Sequence, residues 1–371
     1  MDKRPYIVVT GAHGFIGNHI LEKLLMSDLG TLLDGSDGIS NSATSKTSQV
    51  RFSQQQTPPS RVFDIWAVDL PESAVRPTAH RFAQSSRVKL VFLKDVINHL
   101  RAMPHPPLAV IHNGACSSTV ERDPNVFAEL NVRSSQDLWT YCAEHNIPFI
   151  YASSAAVYGD GSRGFSDAAE QCAQYKPLNL YGQSKLDFDL WALAQAQTPS
   201  HWFGLRYFNV YGPFETHKAG QASMLFHGYQ QATRSGTIRL FKSNTQIYGD
   251  GEQVRDFVYV KDIVKVTLFL LRKALTNSSL PPNVSGKKGC FVNVGCGETR
   301  SWNELAAVVF DALSLPCRIE YIEIPENIAS QYQNYTRADL TTLRSLGYES
   351  PMTALSVGGR EYVQKYLMRG L

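Results

Sequence analysis

Paired cysteines, clustered histidines, long apolar runs and an excess of one charge are all missing from this chain. Its six cysteines (116, 142, 172, 290, 296 and 317) stand apart with no CxxC spacing. That excludes a disulfide frame and a thiolate zinc site, and they read as reduced thiols. The histidines form no HExxH arrangement, and no metal is expected. No run of 18 apolar residues occurs, so no membrane span is expected. The net charge of +3, without a block of five basic residues, gives no footing for nucleic acid or a membrane surface. Met1 to Pro5 lead directly into a β-branched run without the apolar core of a signal peptide, so a cytoplasmic protein is expected.

What is present is ordinary in amount and specific in order. A chain of 371 residues, 43% hydrophobic and 19% charged, can bury a large core and predicts two closely joined domains. Tyr6 to Thr10 reads as a strand, Gly11-Ala-His-Gly-Phe-Ile-Gly17 as a glycine loop, and Asn18 to Met26 as a helix. Strand, glycine loop and helix in that order form the setting in which backbone amides take up a dinucleotide pyrophosphate. Gly11, Gly14 and Gly17 are the candidate cradle.

An acid should end the second strand and meet the adenosine ribose. The chain first inserts a stretch rich in serine, threonine, glutamine and proline, 35–60, which promises no core of its own. Val62 to Asp69 is then the strand and Asp69 the candidate acid. Further strands are predicted at 88–93, 108–116, 148–154 and 202–208, with helices between them. This alternation predicts an α/β class: a Rossmann-type doubly wound parallel sheet with a smaller, interleaved C-terminal substrate-binding lobe. Residues 1–208, with 256–290 returning to the sheet, are assigned to the cofactor domain. Residues 209–255 and 291–371 are assigned mainly to the lobe.

Tyr181 and Lys185 are four residues apart on a predicted helix and share one face. Alone, YxxxK is an ordinary helix surface. Beside a cofactor it gains a use: a phenol is a poor base at neutral pH, and a fixed cation lowers its pKa. Strand 148–154 ends in Ser153-Ser154, which supplies a hydroxyl before that helix.

The glycine loop, the acid on the second strand, the serine pair and YxxxK together resemble the extended short-chain dehydrogenase/reductase family over nearly the whole chain. Within it, Gly114-Ala-Cys-Ser-Ser-Thr119, Tyr151-Ala-Ser-Ser-Ala-Ala156, Pro177-Leu-Asn-Leu-Tyr181, Arg206-Tyr-Phe-Asn-Val-Tyr-Gly-Pro213, His217-Lys218 and Arg255-Asp-Phe-Val-Tyr-Val260 are similar to nucleotide-sugar epimerases. The resemblance implies transient oxidation of a sugar hydroxyl by bound NADP, with NAD as the alternative, and return of hydride to the opposite face. It makes Tyr181 an acid/base, Lys185 the holder of the nicotinamide ribose and Ser154 a partner of the substrate hydroxyl. Lys218 becomes a second base, its pKa lowered by desolvation or by crowding from Arg255 or the cofactor.

The same matching places Phe15 and Ile16 at the pyrophosphate, and Asp69 and Leu70 at the adenosine ribose. It places Asn113, Gly114, Ala115, Cys116, Ser117, Val210 and Lys218 along the cofactor. Arg81 falls where a 2′-phosphate would lie, with Arg76 as an alternative. Asn209, Gly220, His227, Phe241, Lys242, Ser243, Asn244, Arg255 and Tyr332 would face an ADP-sugar. Leu130 stands where the family often has the first of two asparagines, before Asn131, and Gly220 stands where a serine is expected. A homo-oligomer, specifically a homopentamer, is implied. A hexose 4-epimerase or nucleotide-sugar reductase of the same fold, and a non-catalytic cofactor-binding protein, are the competing readings.

Overall fold

A computed structural model describes residues 4–35, 62–278, 280, 288–329 and 332–370. Beyond Gly35, the predicted insertion 35–60 lies outside the described residues.

Seven strands form a parallel sheet: β1 (Tyr6–Thr10), β2 (Asp64–Asp69), β3 (Val88–Phe92), β4 (Ala109–His112), β5 (Phe149–Ser154), β6 (Trp202–Tyr207) and, later in the chain, Gly289–Val294. Numbered through the chain, the shorter strands are β7 (Asn209–Tyr211), β8 (Ile238–Phe241), β9 (Val254–Arg255) and β10 (Phe257–Tyr259). The late sheet strand is β11, followed by β12 (Arg300–Ser301) and β13 (Ile319–Ile322). Sheet order is β11-β6-β5-β4-β1-β2-β3, so the order reverses between β1 and β4. Ligands of open α/β sheets bind beyond the strand C-termini at such a reversal. The central strands are buried because helices cover both faces. Ile7, Val8 and Val9, and Phe203 and Leu205, are fully buried.

The second hydrophobic cluster belongs to the smaller lobe, where Leu225, Ile238, Val309, Phe310, Tyr362 and Val363 are buried together. Its sheets are two-stranded: β7 with β10, β8 with β13, and β9 antiparallel to β12. The run Arg255–Val260 is broken at Asp256, whose carboxylate turns inward. It accepts the backbone N–H groups of Cys296 (2.5 Å), Gly297 (2.8 Å) and Ala338 (3.0 Å). Asp262 lies inside the first turn of helix Val260–Leu275 and accepts from Thr353 N (2.7 Å) and Lys265 Nζ (2.9 Å). Ser223 and Ser301 precede helices Met224–Ser235 and Trp302–Leu313. Each hydroxyl caps its helix, at Phe226 N and Glu304 N, and Ser301 with Glu304 forms a capping box.

Helix Leu180–Ala194 is fixed to the sheet by a buried charge pair. Asp189 accepts from Tyr151 OH (2.9 Å) and Ser153 Oγ (3.0 Å) on β5, and from Arg206 Nη2 (3.1 Å) on β6. Neither charged side chain has any exposure. Removing one member of such a pair strands the other charge, at a cost of about 3 kcal/mol or more. The exposed pair Arg239–Glu320 can contribute only about 0.5 kcal/mol. Asp189→Asn is therefore expected to lower unfolding stability by about 3 kcal/mol in denaturant titration, and Glu320→Gln to leave it almost unchanged. Equal effects would refute the anchoring role of Asp189.

Candidate active site

At the strand reversal, two backbones meet. Gly11 follows β1 with φ +63°, and a Cβ there would lie 2.7 Å from the Gly114 nitrogen beyond β4. Gly14 donates to Gly11 O (2.9 Å) and precedes helix Phe15–Leu25, whose N-terminus no side chain caps. The first-turn amides at Phe15, Ile16 and Gly17 are thus left for an anion. Around this loop, His13 Nδ1, Ser73 Oγ and Asn113 Nδ2 are buried without a hydrogen-bond partner among the described residues. A cradle without room for side chains, with open helix amides and buried polar atoms, fits a dinucleotide.

Asp69 ends β2 as expected, but its carboxylate is already engaged. Oδ2 accepts from His13 N (2.8 Å) and Oδ1 from Leu70 N (2.9 Å). Arg81 is also occupied: it bonds to Asn18 Oδ1 and Glu22 Oε1, and its guanidinium lies 4.0 Å from the Phe214 ring centre. Arg76 precedes the short helix Pro77–His80, which is joined to the glycine loop by Thr78 Oγ1 donating to His13 O (2.7 Å). Its charge holds the pKa values of His13 and His217 down, in each case behind the larger effect of burial.

Tyr181, Lys185 and Ser154 converge at the end of β5. Asn179 Oδ1 caps their helix at Gly182 N (2.8 Å). A Cβ on Gly182 would lie 2.7 Å from Ala156 O, so the helix lies directly against the turn after β5. The Ser154 hydroxyl is within hydrogen-bonding reach of the Tyr181 phenol and accepts from Ala156 N (3.1 Å). Lys185 Nζ donates to Ala152 O (2.8 Å). Burial raises the Tyr181 pKa, with Ser154 opposing. The expected depression of the phenol by Lys185 is not what the structure shows, because burial prevails and the ammonium is bonded to a carbonyl. Burial also lowers Lys185 itself, to about 8, against the pull of Asp189.

Lys218 lies on the turn Thr216–Gln221, half-buried, with Nζ 5.1 Å from the centre of the Phe15 ring. The Gln221 amide and Ser118 Oγ (2.9 Å) join this turn to the segment after β4. Burial lowers the Lys218 pKa and Glu215 opposes it. The cause is desolvation, one of the two expected; Arg255 does not contribute. Gly220 is exposed beside it.

The residues matched to the sugar nucleotide line β7, β8 and β9. Arg255 is 5% exposed, and the described residues give it no carboxylate. It donates to Val254 O (3.0 Å) and to Gln333 O, between the rings of Trp302 (5.4 Å) and Tyr332 (5.2 Å). Burial lowers its pKa to about 10. A buried guanidinium without a counter-charge is a ready receptor for phosphate. Phe241 meets Tyr332 edge-on at 5.8 Å, and His227 Nε2 is buried without a partner among the described residues. Asn209 Oδ1 accepts from Thr336 Oγ1 (3.4 Å), and Val210 pairs with Val258. Lys242, in contrast, extends to Glu323 (2.6 Å) at the surface; Ser243 N bonds to Asp250 Oδ1 (2.8 Å), and Asn244 is exposed.

A connecting network had little signal in the sequence. Thr10 Oγ1 accepts from Gly114 N (2.9 Å) and contacts His112 Nδ1 (2.6 Å); His112 Nε2 contacts Ser135 Oγ (2.9 Å), which donates to Asn131 O (2.6 Å). These directions fix His112 as the neutral Nε2–H tautomer, and burial holds its pKa near 3. Asn131 lies in a π-helical turn, Ala128–Arg133. It accepts from Cys116 N (2.7 Å) and donates to Cys116 O (3.0 Å) and Ser184 Oγ (2.8 Å). Ser184 Oγ in turn donates to Tyr181 O (2.7 Å). The hints were a histidine ending an apolar strand and Asn131, the second of the family's paired asparagines.

Comparison with known proteins matches this arrangement. The model of the NAD dependent epimerase/dehydratase family matches residues 7–280. ADP-L-glycero-D-manno-heptose-6-epimerase of Fusobacterium nucleatum is 42% identical over 269 residues, 70% of this chain and 77% of that protein. Its namesake in Nitratidesulfovibrio vulgaris strain DP4 is 44% identical over 259 residues, 70% and 76% of the two chains. Among solved structures, ADP-L-glycero-D-manno-heptose-6-epimerase of Helicobacter pylori superposes with TM-score 0.70 at 22% identity, covering 100% of this chain and 97% of that one. UDP-N-acetylglucosamine 4-epimerase of Methanobrevibacter ruminantium gives 0.71 at 20% identity and covers both chains fully. The structural likenesses show the shared fold. With the family model spanning most of the chain and relatives above 40% identity, the chain belongs to the NAD-dependent epimerase/dehydratase family.

Proposed function

We propose that the protein converts ADP-D-glycero-D-manno-heptose to ADP-L-glycero-D-manno-heptose with a bound NADP, supplying heptose for a lipopolysaccharide core. The observation that supports this reading is that two groups capable of acid/base work lie on separate elements: Tyr181 on helix Leu180–Ala194, and Lys218 over Phe15 at the glycine loop. The 42–44% identity to enzymes of that name supports the substrate. A homo-oligomer belongs to the same reading.

Inverting a secondary alcohol through its ketone removes hydride from one face and returns it to the other. The nicotinamide cofactor supplies the hydride acceptor and donor. One protein group takes the hydroxyl proton and another gives a proton as hydride returns to the turned ketone, so the two exchange protonation states and a proton passes back from the first to the second before the next turnover. Two groups on different elements serve opposite faces better than one. Burial moves them in complementary directions: the phenol is held protonated and the Lys218 amine is made easier to deprotonate. Ser154 orients the oxygen beside Tyr181, Lys185 would hold the nicotinamide ribose, and Arg255 would bind the diphosphate.

The test is incubation with each ADP-heptose epimer and with UDP-glucose, without added cofactor, reading stereochemistry at the sugar. Interconversion of the ADP-heptoses alone is expected. Turnover of UDP-glucose alone would replace this reading with that of a hexose 4-epimerase. Tyr181→Phe is expected to lose about 10²-fold or more in kcat while retaining cofactor. Wild-type turnover by that variant would remove Tyr181 from the chemistry. Lys218→Met is expected to lower kcat by a similar factor with its circular dichroism unchanged. Full activity there would favour a single-base mechanism.

Cofactor choice rests on the cations near β2. Both Asp69 oxygens are engaged and Arg81 is paired, whereas Arg76 has no polar side-chain partner among the described residues. Arg76 is therefore the better candidate for the 2′-phosphate than Arg81. Fluorescence titration should show Arg76→Ala weakening NADPH about tenfold with NADH unchanged, one charge-assisted hydrogen bond being worth about 1.5–3 kcal/mol. The same loss in Arg81→Ala alone would reverse the assignment.

A further inference from the structure

The chemistry proposed above leaves one fully buried carboxylate unused. Glu215 has no exposed surface and begins the turn that carries Lys218. Its Oε2 accepts from Ser223 N (2.6 Å), and its Oε1 from Ser223 Oγ (2.5 Å) and Gly212 N (3.5 Å). The Tyr362 phenol, from helix Leu355–Lys365, faces it from the other side. Its backbone carbonyl accepts from Lys218 N (2.9 Å). No lysine or arginine lies within ion-pair distance of this carboxylate among the described residues.

The turn is also held in a costly shape. Ala219, directly after Lys218, has φ +48° and ψ −124°, a conformation that L residues seldom adopt. Such a conformation persists only where its surroundings over-determine it. Glu215 supplies that surrounding: its side chain fixes the far end of the turn at Ser223 and its backbone fixes the near end at Lys218.

The geometry points to Glu215 as the positioning residue of Lys218, a carboxylate that both shapes the turn and sets the charge on the amine. It touches neither sugar nor cofactor in this assignment, which rests on the reading of Lys218 as the second base. The groups facing the pair are few. Lys218 faces Glu215, the neighbouring imidazole of His217 and the Phe15 ring. Glu215 faces Lys218, Ser223, Gly212 and Tyr362. Burial lowers the pKa of the amine and the carboxylate opposes that, which preserves the basicity Lys218 needs to hold a proton once it has taken one.

The experiment reads Lys218 directly. The protein is reductively methylated with ¹³C-formaldehyde, and the Lys218 signal, assigned by its loss in Lys218→Met, is followed by NMR against pH. In Glu215→Gln the titration midpoint is expected to fall by about one pH unit, and the acidic limb of the kcat profile to move the same way. Glu215→Asp keeps the charge one methylene further back and should lie between; it decides the matter if Glu215→Gln does not fold. An unchanged midpoint in a folded variant would overturn the proposal, because a purely structural role predicts lower stability without a titration shift. If Lys218→Met proves fully active, the second-base reading falls while the midpoint still tests the coupling of Glu215 to Lys218.

Discussion

The buried Asp189–Arg206 pair sets the frame on which the candidate chemistry depends. Tyr181, Lys185 and Asp189 follow at four-residue spacing on one helix face, so anchoring the third fixes the rotation of the first two. Tyr151 and Ser153 on β5 and Arg206 on β6 hold that carboxylate. The ring of Phe291 on β11 packs 4.3 Å from the Arg206 guanidinium. One ion pair therefore joins three neighbouring strands to the helix. Its net contribution to stability is small against a hydrophobic alternative, but breaking it is costly, and that asymmetry favours one helix register.

From this anchor, polar contacts run to the cofactor side. Ser184 bonds to Asn131, Asn131 holds both backbone groups of Cys116, and His112 with Thr10 links the same π-helical turn back to Gly114. The extra residue of the π turn lets the helix present Asn131 to Cys116 while its neighbours stay packed. The loop that would cradle a pyrophosphate and the helix that carries the phenol are thus held by one set of hydrogen bonds.

How much of this could be read in the sequence depended on the range of the interaction. Local signals translated well: the glycine loop before a helix and the strand ending at Asp69 each rest on one short stretch of chain. Interactions that need the tertiary fold were opaque. Asp69 was legible as an acid at the right place, but its engagement with His13 N depends on the loop folding back over β2. Arg81 matched a cationic position, yet Asn18 and Glu22 on another helix hold it. Glu215 stood three residues before Lys218 with nothing to distinguish it from a solvated loop carboxylate. Its burial comes from residues distant in sequence as well as near, Tyr362 on the Leu355–Lys365 helix among them.

The two proposed acid/base groups show why burial matters more here than pairing. A neighbouring ammonium would be expected to lower a phenol's pKa, and Lys185 is on the correct face to do so. Its ammonium is instead bonded to the Ala152 carbonyl, and burial of the phenol itself is the largest influence on Tyr181, raising its pKa. The same desolvation acts with opposite sign on Lys218, because its charged form is the protonated one. A single physical cause, exclusion of water, thus shifts two groups that would both be protonated in free solution in opposite directions, the phenol up and the amine down. With the amine taking one proton and the phenol giving another, each turnover leaves both in the opposite state, and a proton must pass from the amine back to the phenol before the next. Burial favours that return, because the neutral phenol and the neutral amine are the forms it promotes.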